Sequence, residues 1–305
     1  MNIAITGATG FIGNNLKVFL KEFDEVNLIL INRTKQNNKT QNEYTYEEFF
    51  NKEVNDNIDI FIHLASPNFD KEKNGLLHEG IFNLTKKIME NLYKYNCTKF
   101  IYFSSAKVYG ESRFDKETFF ETTSTYPISD YAKTKLATEK LIIEKSKKEN
   151  FHYLIFRLPF VYGAGMKSNL NMIFKIIEKS LPVFVFDDDM DMKKSFLSIH
   201  NINNVIKMII ANKSSYNQIF NLSDHEPISL SSMIRAYKKT TNSKSILITI
   251  NKRAFDILKN IPILSSIIKK VFGNFILDNS KISSFYDGKL ISTYEGLQHY
   301  SNTKI

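Results

Sequence analysis

The feature that most constrains this chain is the run NIAITGATGFIGNNLKVFL at residues 2–20. An apolar segment, 2–6, leads directly into Gly7, Gly10 and Gly13, and Ile12, Leu16, Phe19 and Leu20 then recur at helical spacing. The pattern predicts a strand, a glycine turn and a helix. Gly7 permits the tight turn, Gly10 lets backbone approach a pyrophosphate, and Gly13 lets helix and sheet pack closely. The helix N-terminus offers free N–H groups and a partial positive charge to phosphates. A dinucleotide site formed by Gly7, Gly10, Phe11, Ile12 and Gly13 is the expectation, with a purely structural turn as the competing reading.

The rest of the chain repeats the alternation. VNLILI (26–31), DIFIHLAS (59–66) and KFIYFSS (99–105) read as buried strands, and the segments 81–95 and about 131–148 as helices. YLIFRLP (153–159) is a further strand. Buried strands alternating with helices predict an α/β fold, a doubly wound parallel sheet of Rossmann type. After 162 the pattern changes: a helix within 163–179, a strand at 182–186, a charged turn at 187–194, then strand and helix again, with 218–223 as a candidate to rejoin the sheet. The expected division is a dinucleotide-binding domain over 1–162, rejoined by 195–223. A smaller interleaved C-terminal lobe takes 163–194 and 224–305, with two or three helices after 225.

At the end of the second strand, an acidic residue would accept from the adenine ribose hydroxyls of NAD. This chain has Asn32 and Arg33 there and no acid. Arg33 can pair with a 2′-phosphate, so NADP (NADPH) is favoured, with NAD as the alternative. A solvated arginine opening the polar loop 33–42 is the bland reading.

YAKTK places Tyr131 and Lys135 four residues apart. From 15 tyrosines and an abundance of lysine, about two such matches are expected by chance. The chain has Tyr95/Lys99 and Tyr300/Lys304 as well. Only Tyr131/Lys135 opens a long helix, where an i,i+4 pair shares one face. Ser104 and Ser105 stand at the C-terminal end of a sheet strand, the edge where such folds bind ligands. A cationic Lys135 is expected to lower the Tyr131 phenol pKa toward working pH, so that Tyr131 exchanges a proton with a substrate alcohol or carbonyl. Ser105 would hydrogen-bond the same oxygen, and Lys135 would also hold the nicotinamide ribose. His63 reads as a structural residue near the cofactor.

Composition excludes some classes. No 18-residue apolar run and no basic leader appear, so a cytoplasmic chain with no membrane partner is expected. The single Cys97 rules out an internal disulfide and a cysteine-based zinc cluster; no metal is expected. The net charge of +9 is compatible with nucleic acid, an anionic membrane or small phosphorylated ligands. Its lysines are dispersed and no aromatic-basic pattern repeats, which argues against nucleic acid.

Taken together, TGATGFIG, HLAS, Asn83, SSAKVYG, YAKTK, RLPFVYGAG, NQIFNLSD and LDNSK resemble the extended short-chain dehydrogenase/reductase family, also called the NAD-dependent epimerase/dehydratase family. The resemblance spans nearly the whole chain. It implies Ser105, Tyr131 and Lys135 as the catalytic triad, and Leu64, Ala65, Ser66 and Pro159 as further cofactor contacts. It also implies a nucleotide-diphosphate sugar as substrate, touched by Ser105, Lys107, Asn169 and Lys194, and a homodimer built on the helices at 81–95 and 131–148.

Within the family the chain is most similar to bacterial sugar-nucleotide C4 reductases and epimerases of surface-polysaccharide pathways. Phe160 stands where galactose-type epimerases carry asparagine, and the acidic residue common in the family after the third strand is not matched here, where Tyr46 stands. Ala106 and Lys107 replace the Thr-Asp/Glu pair of 4,6-dehydratases. The resemblance therefore implies an NADPH-dependent reductase of an NDP-4-keto-6-deoxy sugar, with an NAD-dependent UDP-sugar 4-epimerase as the alternative. A dinucleotide-binding sensor or scaffold is the non-enzymatic reading.

Overall fold

A computed structural model describes residues 1–35, 42–54, 57–66, 76–115, 117–187, 190, 192–211, 216–285 and 288–302. Most of the expected loop 33–42 and part of the turn 187–194 lie outside them. The chain divides into two compact units: the first contains Met1–Val108, Thr125–Arg157 and Ala211–Phe220, and the second Tyr109–Ser124, Leu158–Ile210 and Asn221–Ile305.

The first unit opens with β1 (Asn2–Thr6), the glycine turn and α1 (Phe11–Leu20), followed by β2 (Asn27–Asn32), β3 (Glu43–Thr45) and α2 (Tyr46–Phe50). Then come β4 (Ile60–His63), α3 (Leu76–Met89), β5 (Lys99–Ser105), α4 (Asp130–Lys148), β7 (His152–Leu158) and, after a long excursion, β11 (Gln218–Asn221). These seven strands form one sheet in the order β11-β7-β5-β4-β1-β2-β3. The β1–β2, β1–β4, β2–β3 and β4–β5 pairs are parallel. β1 lies between β2 and β4, so the strand order reverses there, which in such sheets leaves a crevice at the carboxyl ends of the two flanking strands. Ile3, Ala4, Ile5, Phe61, Ile62, Phe100 and Ile101 are fully buried, as strands covered on both faces must be. One core side stacks Phe49 on Tyr95 (4.7 Å) and Phe61 on Phe100 (5.6 Å).

α4 starts where Ser129 caps it, its hydroxyl accepting from the Ala132 N–H at 3.3 Å. Its buried face is unusually polar, with Ala132, Lys135, Thr138, Glu139 and Ile142 turned inward. Hydrophobic burial therefore supplies only part of the docking of this helix; the remainder comes from buried hydrogen bonds and one ion pair.

The second unit is built from short paired strands and helices. β8 (Phe160–Tyr162) pairs with β10 (Phe196–Ser198), β9 (Val183–Phe186) with β12 (Leu247–Ile250), and β6 (Thr118–Phe119) with β13 (Ile276–Leu277), all parallel. Its helices are α5 (Asn169–Glu178), α6 (Ile199–Ala211), α7 (Leu230–Thr240), α8 (Lys252–Leu258), α9 (Pro262–Phe272), α10 (Ser280–Phe285) and α11 (Thr293–Asn302). A buried Asp224 accepts from four donors: Ser198 N–H, Asn201 Nδ2, Tyr162 OH and Thr293 Oγ1, at 2.7–2.9 Å. Burial raises its pKa to about 6 against those hydrogen bonds.

The chain divides elsewhere than the sequence suggests. β11 takes its place in the large sheet, but β10 and nearly all of α6 group with the second unit, as do 109–124 and 158–162. The physical reason is pairing: β10 finds its partner in β8, and 113 and 118–119 find theirs at 274 and 276–277. After 225, five helices are described where two or three were expected; α8 and α9 are separate because Pro262 starts a new helix at its first position.

Candidate active site

The glycine turn has the geometry its spacing predicts. Gly7 has φ +72°, and a Cβ there would lie 2.8 Å from Ala65 N and 2.9 Å from Leu64 C, so the turn sits directly against the end of β4. A Cβ on Gly13 would stand 2.2 Å from Gly7 O, which is backbone and cannot swing away. Gly10 caps α1 with no side-chain hydrogen bond, and a Cβ there would meet only Gly7 O, at 3.2 Å. With no acid in the first turn of α1, the helix opens with uncapped backbone donors, and Phe11 and Ile12 flank them half-buried.

At the β1/β4 crevice His63 is fully buried between two hydroxyls. Thr85 donates to Ile81 O at 2.8 Å, so it accepts from His63 Nε2–H at 2.9 Å, and His63 Nδ1 must accept from Thr6 OH at 2.6 Å. Burial, and secondarily the Lys135 charge, push the His63 pKa down to about 3. It is a neutral strut under Leu64 and Ala65, whose N–H lies 3.4 Å from Thr6 Oγ1.

At the end of β2, Asn32 is buried and donates to Glu43 Oε1 at 2.8 Å. The sheet thus holds an acid near that end which the sequence spacing missed, because Glu43 arrives through the β2–β3 pairing. Its carboxylate is buried and engaged. Arg33 is exposed and makes no ion pair among the described residues; its charge acts on the phenol of Tyr46, whose pKa burial raises to about 12.

Tyr131, Ser105 and Ser66 come together. Burial raises the Tyr131 pKa, and hydrogen bonds to the Ser105 and Ser66 hydroxyls oppose the rise. Ser105 Oγ also accepts from Lys107 N–H at 3.3 Å. Lys135 is buried and donates to Phe103 O at 2.9 Å, with its ammonium 4.8 Å from the Tyr102 ring centre and 5.7 Å from that of Tyr131. Burial brings its pKa down to about 8, with Glu139 pulling upward. The Lys135 ammonium is directed at a strand carbonyl, and burial is the largest influence on the Tyr131 phenol.

Beneath this cluster lies a network with a faint sequence signal. Glu139, one helical turn beyond Lys135, takes Arg157 Nε and NH2 at 2.7–3.2 Å and the Ser104 hydroxyl. Lys135 and Glu139 together fasten α4 to the Phe103–Ser104 backbone and side chain of β5, next to Ser105. An arginine within the otherwise apolar YLIFRLP strand was the available clue.

The other Tyr-x-x-x-Lys matches are structural or out of view. Tyr95 is buried with its hydroxyl on Phe49 O, and Lys99 begins a strand. Tyr300 donates to Asn171 Oδ1, and Lys304 lies outside the described residues. In the second unit Asn169 opens α5 and is exposed, Pro159 is half-buried between β7 and β8, and Lys194 donates to Ser112 Oγ (3.0 Å) and Lys270 O (2.7 Å).

The profile of the NAD dependent epimerase/dehydratase family matches residues 3–223. A UDP-glucose 4-epimerase from Vibrio cholerae is 30% identical over 156 residues, 51% of this chain but only 46% of that relative's length. In fold, the chain is similar to a UDP-glucuronic acid 4-epimerase from Bacillus cereus in complex with NAD (TM-score 0.76, 21% identity, covering 100% and 99% of the two chains). It is similar also to RMD from Pseudomonas aeruginosa complexed with NADPH (TM-score 0.74, 16% identity, 99% of each). With a glycine turn at the β1/β4 crevice and a seven-stranded sheet in doubly wound order, the chain belongs to the NAD dependent epimerase/dehydratase family.

Proposed function

We propose that this chain is an NADPH-dependent reductase of the C4 keto group of a nucleotide-diphosphate 4-keto-6-deoxy sugar, serving surface-polysaccharide precursor synthesis. The observation that carries the reading is Arg33, an exposed cation at the end of β2 with no ion pair among the described residues, beside an acid that is buried and engaged. A reductase exchanges spent cofactor and draws on the reducing pool, for which a 2′-phosphate is the mark. The turn also suits a dinucleotide: α1 opens uncapped at Gly10, where backbone donors meet little else.

A bound nicotinamide dinucleotide supplies the hydride. The residues of the chain do the rest. Tyr131, its pKa raised by burial, donates its proton to the C4 oxygen as negative charge develops there. Ser105 hydrogen-bonds the same oxygen, and Ser66 steadies the phenol. Lys135 places a positive charge behind the tyrosine and offers donors to a ribose. Lys107 is a proposed substrate contact, Asn169 and Lys194 are the proposed nucleotide and diphosphate contacts, Pro159 a cofactor contact, and a homodimer through the α3 and α4 faces the proposed assembly.

The second reading, an NAD-dependent UDP-sugar 4-epimerase, is favoured by the identity with the Vibrio cholerae enzyme. Titration of NADPH and NADH against the purified chain separates the two, and with no tryptophan present the nicotinamide fluorescence is read against little protein background. The reductase reading expects NADPH to bind about tenfold tighter or better, and Arg33→Ala to lose that preference, about 1.4 kcal/mol. NADH preference, or NAD retained through purification with turnover of a UDP-sugar, would replace it with the epimerase.

A further inference from the structure

The C-terminal lobe carries an amphipathic element that the chemistry above does not use. Along α8, the Ile261 cap and α9, six aliphatic side chains face solvent: Ile257 (67% exposed), Ile261 (43%), Ile263 (75%), Leu264 (36%), Ile267 (54%) and Val271 (38%). At about 100° per residue, the four in α9 fall within one arc of roughly 100°. The adjoining arc of the same helix is the one that packs: Ile268 is buried and Phe272 half-buried against Phe186, Met192 and Phe255. The apolar face of α9 thus spans roughly 180°, of which only the edge at Ile268 and Phe272 packs against that cluster. Scattered exposed aliphatics are ordinary, but an aligned set is not.

The charges around this stripe are of one sign. Residues 251–273 contain five basic residues against one acid. Lys259 pairs with that acid, Asp256, at 2.5 Å. Lys252, Arg253 and Lys270 are exposed and have no ion pair among the described residues, and Lys270 borders the aliphatic arc; Lys269 lies on the far side of α9, its ammonium 5.9 Å from the Phe114 ring centre. A two-fold contact between copies would set this patch against itself and bring those cations together. An anionic lipid surface satisfies both parts at once, taking the aliphatic arc into the headgroup boundary and Lys252, Arg253 and Lys270 against its charge.

We infer that the α8–α9 segment is a peripheral docking surface for anionic membranes. Among the described residues no helix is long and apolar enough to cross a bilayer, and surface docking requires none. The inference is independent of which sugar chemistry the first unit performs.

The test is co-sedimentation of the full chain with vesicles of equal parts phosphatidylglycerol and phosphatidylcholine, and with phosphatidylcholine alone. The wild-type chain should partition to the anionic vesicles about tenfold more strongly, and added salt should weaken the binding. Ile263→Asp with Ile267→Asp, and separately Lys252→Glu with Lys270→Glu, should each reduce it about tenfold. Both pairs are solvent-facing, and unchanged circular dichroism and cofactor binding establish that they fold. Absence of wild-type binding, or full binding by either double variant, overturns the inference. So does an aspartate variant whose only change is dissociation of a dimer, which would make a second copy the occupant.

Discussion

Glutamate 139 offers the most discriminating perturbation. Its carboxylate is 1% exposed and faces Arg157, 5% exposed, through contacts of 2.7–3.2 Å, with Ser104 as a further donor. Glu139→Gln keeps the shape and deletes the charge, leaving the Arg157 guanidinium desolvated without a counter-ion and turning an amide N–H₂ toward other donors. Removing one partner of a buried pair costs about 3–5 kcal/mol, a large share of a typical total of about 5–15 kcal/mol. Replacing the whole polar set by Glu139→Leu, Arg157→Leu and Ser104→Ala removes both desolvation penalties and the orphaned hydroxyl, so the combined variant should lose at least about 2 kcal/mol less than the sum of the single changes. Urea unfolding followed by far-ultraviolet circular dichroism gives each value. A cost below about 1 kcal/mol for Glu139→Gln, or strict additivity of the set, would refute the argument that this is one desolvated unit. A second readout follows from Lys135, whose pKa Glu139 holds up against burial. In Glu139→Gln any limb of the activity profile that reports Lys135 should move to lower pH, which a merely looser structure would not produce.

Gly13→Ala places a Cβ 2.2 Å from Gly7 O and should destabilise at or beyond the upper end of about 1–3 kcal/mol while weakening dinucleotide binding. Gly80→Ala, in α3 with nothing within 4 Å of its Cβ, should stabilise by about 0.5–1 kcal/mol in the same urea assay. Tyr131→Phe should lower kcat by about 10²–10⁴-fold and leave NADPH affinity within about twofold, since it removes the proton and little else. His63 has a folded pKa near 3 against an ordinary 6.5, so the unfolded chain binds more protons between those values and stability is lost as pH falls through the window. His63→Gln should flatten the stability-against-pH slope at about pH 4–6 by up to about 1.4 kcal/mol per pH unit. Asp224, with its pKa raised to about 6, contributes the opposite slope between 3.8 and 6, and Asp224→Asn should steepen the same profile.

How much of this was legible depended on how local the cause was. The glycine turn, β1, β2, β4, β5 and α4 follow from apolar runs and helical spacing, and their observed bounds lie within a few residues of the sequence reading. The helix expected at 81–95 instead ends at Met89, with a separate turn over Leu92–Tyr95 closed by Asn96 at φ +51°. In the second unit, strands of two to four residues carry no periodic signature. Pairings such as Ile276 with Thr118 are set by which backbone is in reach.

Within the candidate site the division is similar. The sequence by itself determined which groups are available: three glycines at a strand-helix turn, a tyrosine and lysine on one helical face, a serine at a strand end, an arginine where an acid would select NAD. Spacing along a strand or helix fixes those relations without any long-range contact. Only the tertiary structure decided where the side chains point and what charge they carry. Lys135 turns to the Phe103 carbonyl, Ser66 joins Tyr131 from another strand end, and Glu139 meets Arg157 across 18 positions of chain. Hydrogen-bond direction and desolvation arise when distant segments exclude water together, and no local pattern encodes them.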